Sequence, residues 1–167
     1  MKKLILAILV VLSAGAISAQ TNVAHVNSQT LLDTLPSRKA AIVKLQEFER
    51  AGMMELKEME DDFNKGVAKY QADLPGMSPV IQKIEEEKLM KKQQSLQDRE
   101  KSLQQEMQVY SQELNTPILE MVQKAVKIVS ERKKINYVID ESVTLYFAGG
   151  TDITKDVIKE LLLMDKK

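Results

Sequence analysis

The spacing of apolar residues changes repeatedly along the chain, and each change marks an element. Lys2 and Lys3 precede an unbroken apolar run, Leu4 to Leu12, which gives way to small residues in SAGAISAQ. A positive start, an apolar middle and a small-residue end make a secretory leader over residues 1–19, cut after Ala19 or one residue earlier. The run is too short for a comfortable membrane span. Strict alternation follows in NVAHVN, with Val23 and His25 on one side and Ala24 and Val26 on the other, and predicts a strand. Asn27 or Ser28 caps a short helix through SQTLLDTL, which Pro36 ends or bends.

From Ser37 to Leu74 the apolar period is helical but thin. Ile42, Leu45, Leu56, Met59, Phe63 and Tyr70 fall on one three-four seam that also contains Glu49, Gly52, Gly66 and Asp73. A second run, Pro79 to Asn115, repeats Leu89, Leu96, Leu103 and Tyr110 every seven residues, with Gln93, Glu100, Met107 and Leu114 as partners. Ser78 caps it and Pro79 suits its first turn. The two runs are nearly equal, and each would reach roughly 55 Å as a helix. Between them lies DLPGMSPV, where Pro75 and Pro79 flank Gly76. Matched lengths around a proline-glycine turn predict an antiparallel helical hairpin with its tip near 74–78. Gly52 and Gly66 are expected to be flexible points in it.

Pro117 is expected to interrupt the second helix at the hairpin's base. Beyond it the apolar face becomes dense: Ile118, Leu119, Met121, Val122, Ala125, Val126, Ile128 and Val129. INYVIDESVTLYF contains two β-rich runs and predicts a β-hairpin ended by Gly149 and Gly150. A last helix starts near Thr154 as cap, with Ile153 and Ile158 as a hydrophobic staple. The fold class is α+β: a charged arm, residues 37–115, projects from a small β body, residues 20–36 and 116–167. Three short strands are marginal alone and have open edges, so the body is expected to oligomerise into a shared sheet or barrel.

Composition narrows the chemistry. Charged residues are 29% and aromatic residues 4%, with no tryptophan. That balance suits thin helices better than a large compact core. The chain has no cysteine, so thiolate and disulfide chemistry are excluded. His25 is the only histidine and reads as structural. No catalytic constellation or cofactor motif is visible, and Gly149-Gly150 lacks the features of a phosphate loop. The acidic runs Glu58 to Asp62 and Glu85 to Glu87 read as solvated helix faces, with Asp61–Lys65 and Glu87–Lys91 as pairs. The arm carries 13 Lys and Arg against 15 Asp and Glu, which disfavours nucleic acid as a partner.

The signal, the strand and short helix VAHVNSQTLLDTLP, the charged hairpin, the helix NTPILEMVQKAVKIVSERKKINYVIDES and the closing TDITKDVIKELL together resemble the Skp/OmpH family of periplasmic chaperones. The resemblance implies a homotrimer with a β-barrel body and three helical arms. It also implies ATP-independent capture of unfolded outer-membrane proteins in the cavity between the arms, in the periplasm, without cofactor or enzymatic activity. Val23, Val26, Tyr137, Ile139, Val143, Leu145 and Phe147 would build the body. Well-known members are strongly basic; the balanced arm here speaks against attraction to acidic lipid or lipopolysaccharide. Met53, Met54, Met77, Met90 and Met107 lie on the arm and are candidates for client contact, because flexible thioethers adapt to many sequences. Ordinary seam filling is the alternative. Pro36, Pro75, Gly76, Pro79 and Pro117 mark hinges and tip. The rival reading is an envelope adaptor that binds a folded partner through its coiled coil.

Overall fold

A computed structural model describes residues 22–166; the expected leader, 1–19, lies outside the described residues. The elements run β1 (Val23–Val26), α1 (Ser28–Thr34), α2 (Pro36–Asp73), a 3-10 turn (Leu74–Gly76), α3 (Pro79–Lys133), β2 (Tyr137–Asp140), a 3-10 turn (Glu141–Val143), β3 (Thr151–Asp152) and α4 (Thr154–Met164). The Asn27 side chain caps α1 by accepting from the Thr30 N–H at 2.8 Å, which satisfies one of the helix's free donors. Pro36 occupies the first turn of α2, where its missing N–H costs nothing. That helix has no side-chain cap of its own. Instead Asp165, just past α4, accepts from Ser37 N–H at 3.1 Å and ties the arm's root to the last helix.

The hairpin is present. α2 has 38 residues. At the standard helical rise that is about 57 Å. The Leu74–Gly76 turn then reverses the chain into Ser78-capped α3. Pro117, however, does not interrupt α3, which continues through it to Lys133. The proline sits on an exposed face, where the Glu113 carbonyl it leaves unpaired can be hydrated. One turn back, Asn115 Nδ2 and Thr116 Oγ1 each donate to a carbonyl, Ser111 and Gln112, at 2.8 Å. α3 ends where Lys134 turns left-handed, with φ 55°. Its own N–H returns to Glu131 and that of Ile135 to Ser130, closing the last carbonyls of the helix.

The sheet differs from the expected β-hairpin. Its order is β2-β1-β3, and β1 is the central strand, parallel to both neighbours. Only Tyr137–Asp140 of the β-rich stretch is a strand; Glu141–Val143 is a 3-10 turn and 144–150 has no regular structure before β3. Asp140 causes the early stop. Its side chain accepts from Ser142 N–H at 3.1 Å, an Asx-type bond that bends the backbone out of the strand. Thr154 does not cap α4 through its own hydroxyl. Asp152 accepts from Thr154 N–H at 2.8 Å, and the Thr154 hydroxyl instead accepts from Asn27 N–H at 3.1 Å.

One side of the sheet packs on the helices. Ala24, Val26, Leu31, Leu35, Ala41, Ile118, Ala125, Val129, Ile153, Val157 and Leu161 form a single buried cluster drawn from β1, α1, both roots of the hairpin and α4. The dense face after Pro117 supplies Ile118, Ala125 and Val129, whereas Leu119 points to solvent. Ile153 is fully buried, and Ile158 packs against the cluster from one turn into α4. Lys133–Asp156 at 2.6 Å and Arg132–Glu160 at 2.7 Å fasten α3 to α4.

Candidate functional site

Among the described residues, two surfaces leave apolar side chains exposed: the arm and the open face of the sheet. Along the arm, helix contacts step from Tyr70–Glu86 (2.6 Å) through Asp62–Lys92 (2.6 Å) and Glu55–Arg99 (2.8 Å) to the Phe48–Tyr110 ring pair at 5.1 Å. The expected seven-residue series is inward: Leu103 is buried and Leu89, Leu96 and Tyr110 are half-buried. Near the root the seam departs from expectation. Ala41 and Phe48 face α3, while Ile42 and Glu49 are exposed. From Leu45 the inward positions run Phe48, Gly52, Leu56, an eleven-residue step in place of a seven-residue one. Such a step unwinds the pairing locally. Arg99 takes the inward position expected of Glu100 and bridges Glu55 and Glu106 at 2.8 Å each.

Gly52 and Gly66 serve close approach rather than flexibility. Gly52 is buried against Leu103, and a Cβ there would overlap the leucine's methyl groups, lying 2.7 Å from Cδ2. At Gly66 a Cβ would stand 3.0 Å from Leu89 Cδ2. Each glycine is the hole for a leucine knob of the facing helix.

Beside this contact lies an open groove of about 870 Å³. Met53, Met54, Leu56, Leu96 and Leu103 supply its apolar lining, and Arg50, Lys57, Glu60, Asp61 and Glu100 line it with charges of both signs. Met53 and Met54 are each 60% exposed, and Met90 is 66% exposed. Met77 and Met107 are half-buried, as is Met59. The expected pairs Asp61–Lys65 and Glu87–Lys91 are not among the ion pairs of the described residues; Asp62–Lys92 and Glu85–Lys88 form instead. The Lys92 ammonium holds the Asp62 carboxyl below its usual range.

The second surface is the sheet face turned away from the core. Register places Val23 beside Tyr137 and His25 beside Ile139, all on that face, whereas Val26 points into the chain's own core. Val143, in the 3-10 turn, and Leu145, Tyr146 and Phe147, in the irregular segment, are exposed as well, with Leu145 wholly exposed and Tyr146 at 81%. Tyr146 completes the patch; the expected β-hairpin would have turned it away from Leu145, and no local pattern signalled it. Phe147 lies over the His25 ring at 4.8 Å, and His25 Nδ1 meets Glu141 Oε1 at 2.7 Å.

A long two-helix arm rising from a small parallel sheet is also what comparison with known proteins finds. The family model described as outer membrane protein (OmpH-like) matches residues 22–161, nearly all of the described chain. The chain belongs to the OmpH-like family. Among its relatives, the chaperone protein Skp of Yersinia pseudotuberculosis is 35% identical over 149 residues, 89% of this chain and 90% of that one. The Skp of Photorhabdus laumondii is 28% identical over 165 residues, covering 96% and 99%. A solved OmpH-like structure from Caulobacter crescentus superposes with a TM-score of 0.77 over 87% of this chain and 86% of the other, at 16% identity, which shows a shared fold.

Proposed function

We propose that this chain is an ATP-independent holdase of the periplasm, reached after removal of the leader, and that it keeps unfolded outer-membrane proteins from aggregating. Three copies would join through the open sheet faces, with Val23, Tyr137, Ile139, Val143, Leu145 and Phe147 buried between them, and three arms would enclose the client. The observation that carries the reading is the arm itself. It is a hairpin on the order of 50 Å long. Its apolar seam is only wide enough for two helices, and Met53, Met54 and Met90 are left facing out.

Capture by such an arm needs no tight pocket. Many weak apolar contacts inside a cage raise the local concentration of binding groups, and the client is retained by their number. The charges of both signs beside the Met53–Met54 groove keep the free arm soluble without selecting a client of one sign. Release follows when the client folds elsewhere and withdraws its apolar surface.

The test is dilution of a urea-unfolded β-barrel protein into an equimolar amount of assembled oligomer. Light scattering stays low, and the folded barrel is ignored. Aggregation at the rate seen in buffer would refute the proposal. Binding of one folded envelope protein and no unfolded ones would establish the adaptor instead.

A further inference from the structure

The only histidine does not stand alone in space. His25 on β1, Glu141 in the turn after β2 and Asp152 on β3 each bring one donor atom within 4.8 Å of the other two. Both acids come from the far end of the chain, so the sheet's parallel register, not local sequence, brings them to His25 (which pairs directly with Asp152).

Each carboxylate is already oriented by a donor on one oxygen. Asn27 Nδ2 donates to Glu141 Oε2 at 3.0 Å, and Thr154 N–H donates to Asp152 Oδ1 at 2.8 Å. Glu141 Oε1 meets His25 Nδ1 at 2.7 Å, and Asp152 Oδ2 has no hydrogen-bond partner among the described residues. Outer hydrogen bonds of this kind fix metal-binding side chains. Among the described residues, no lysine or arginine forms an ion pair with Glu141 or Asp152; His25 is the partner of Glu141, and Lys155 acts on Asp152 from further off. Half-buried Glu141 meets the half-buried imidazole, exposed Asp152 lies beside them, and the Phe147 ring stands over His25.

We propose that His25, Glu141 and Asp152 bind a divalent transition-metal ion, zinc(II) by preference. One imidazole with two carboxylates suits zinc, whose three-residue sites accept mixed nitrogen and oxygen donors and leave a fourth position for water. Calcium and magnesium favour all-oxygen shells. The ion would take the place of the proton between His25 Nδ1 and Glu141 Oε1, now 2.7 Å apart, with Asp152 Oδ2 as third ligand. The ion neutralises the paired negative charge and fastens β3, only two residues long, and the 144–150 segment to the central strand. Its role is structural: it holds the Leu145–Phe147 segment in place on the sheet face.

The test uses the purified protein with zinc(II) alone, magnesium(II) as control and cobalt(II) as a spectroscopic stand-in. One zinc ion is taken up per chain, and hydrogen exchange slows across residues 144–152. Cobalt gives a visible band with imidazole character. Asp152→Asn and Glu141→Gln each weaken zinc binding by at least about tenfold while leaving the metal-free circular dichroism spectrum unchanged. The proposal is overturned by a lack of saturable zinc uptake. It is equally overturned by uptake that survives both substitutions, which would place the ion on the acidic runs of the arm.

Discussion

At the scale of residues, two glycines separate close packing from helix propensity. Replacing either by alanine gains up to about 1 kcal/mol of propensity. At Gly52 the new methyl would enter the volume of buried Leu103. Gly52→Ala is therefore expected to lose about 1–3 kcal/mol in urea unfolding. Adding Leu103→Ala to it costs less than Leu103→Ala does in the native chain, because the two side chains then share the space. At Gly66 the Leu89 methyl at 3.0 Å can give way, and Gly66→Ala is neutral or stabilising. An unchanged stability in Gly52→Ala would mean that the helices do not approach there. Asp140 makes the second residue-scale prediction. Burial pushes its carboxyl up, but hydrogen bonds from Ser28 and Ser142 outweigh that, and the net shift is below the usual 3.8. Its contribution is therefore complete above that value and disappears as pH falls through the lowered one. Asp140→Ala melts below the native protein near neutral pH, and the gap closes on acidification; a gap independent of pH would contradict this.

The same residues show what the sequence made legible. Leu89, Leu96, Leu103 and Tyr110 were readable because a seven-residue spacing survives without knowledge of the partner. The hole that receives Leu103 was not, because a glycine in a helical pattern looks the same whether it bends the helix or receives a neighbour. His25 looked solitary because Glu141, in the turn after β2, and Asp152, on β3, reach it through a parallel register that no local pattern encodes.

At the scale of elements, the long helix α3 and the irregular 144–150 segment were the two departures. Pro117 suggested a break, but tertiary packing on both sides, with Leu114 and Ile118 against the core, carries the helix through. Pro117→Ala restores a donor to the Glu113 carbonyl and should raise stability by about 1–3 kcal/mol by thermal or urea unfolding. A loss would show that the site depends on the proline's geometry. The Val143–Phe147 run has the composition of a strand but follows Asp140, whose side chain captures the backbone first. Its apolar residues stay exposed within one chain. Leu145→Ser with Tyr146→Ser therefore leaves the secondary structure intact and shifts the oligomer toward single chains at low concentration, read by light scattering. Unchanged association would remove this segment from the interface.

At the scale of the molecule, one buried cluster at the arm's root holds an arm about 57 Å long. The arm contributes little to that cluster; Ala41 lies in it and Leu114 packs against it. A body anchored by Lys133–Asp156, Arg132–Glu160 and the Asp165 bond to Ser37 can hold one arm's direction, but a single arm encloses nothing. Enclosure requires copies, and the open sheet face is the surface on which copies can meet. The measurement that tests this most directly is native mass spectrometry of the protein alone and after mixing with an unfolded outer-membrane protein. The expected species are three chains, and three chains with one client. Single chains, or a client carried by a single chain, would contradict the account.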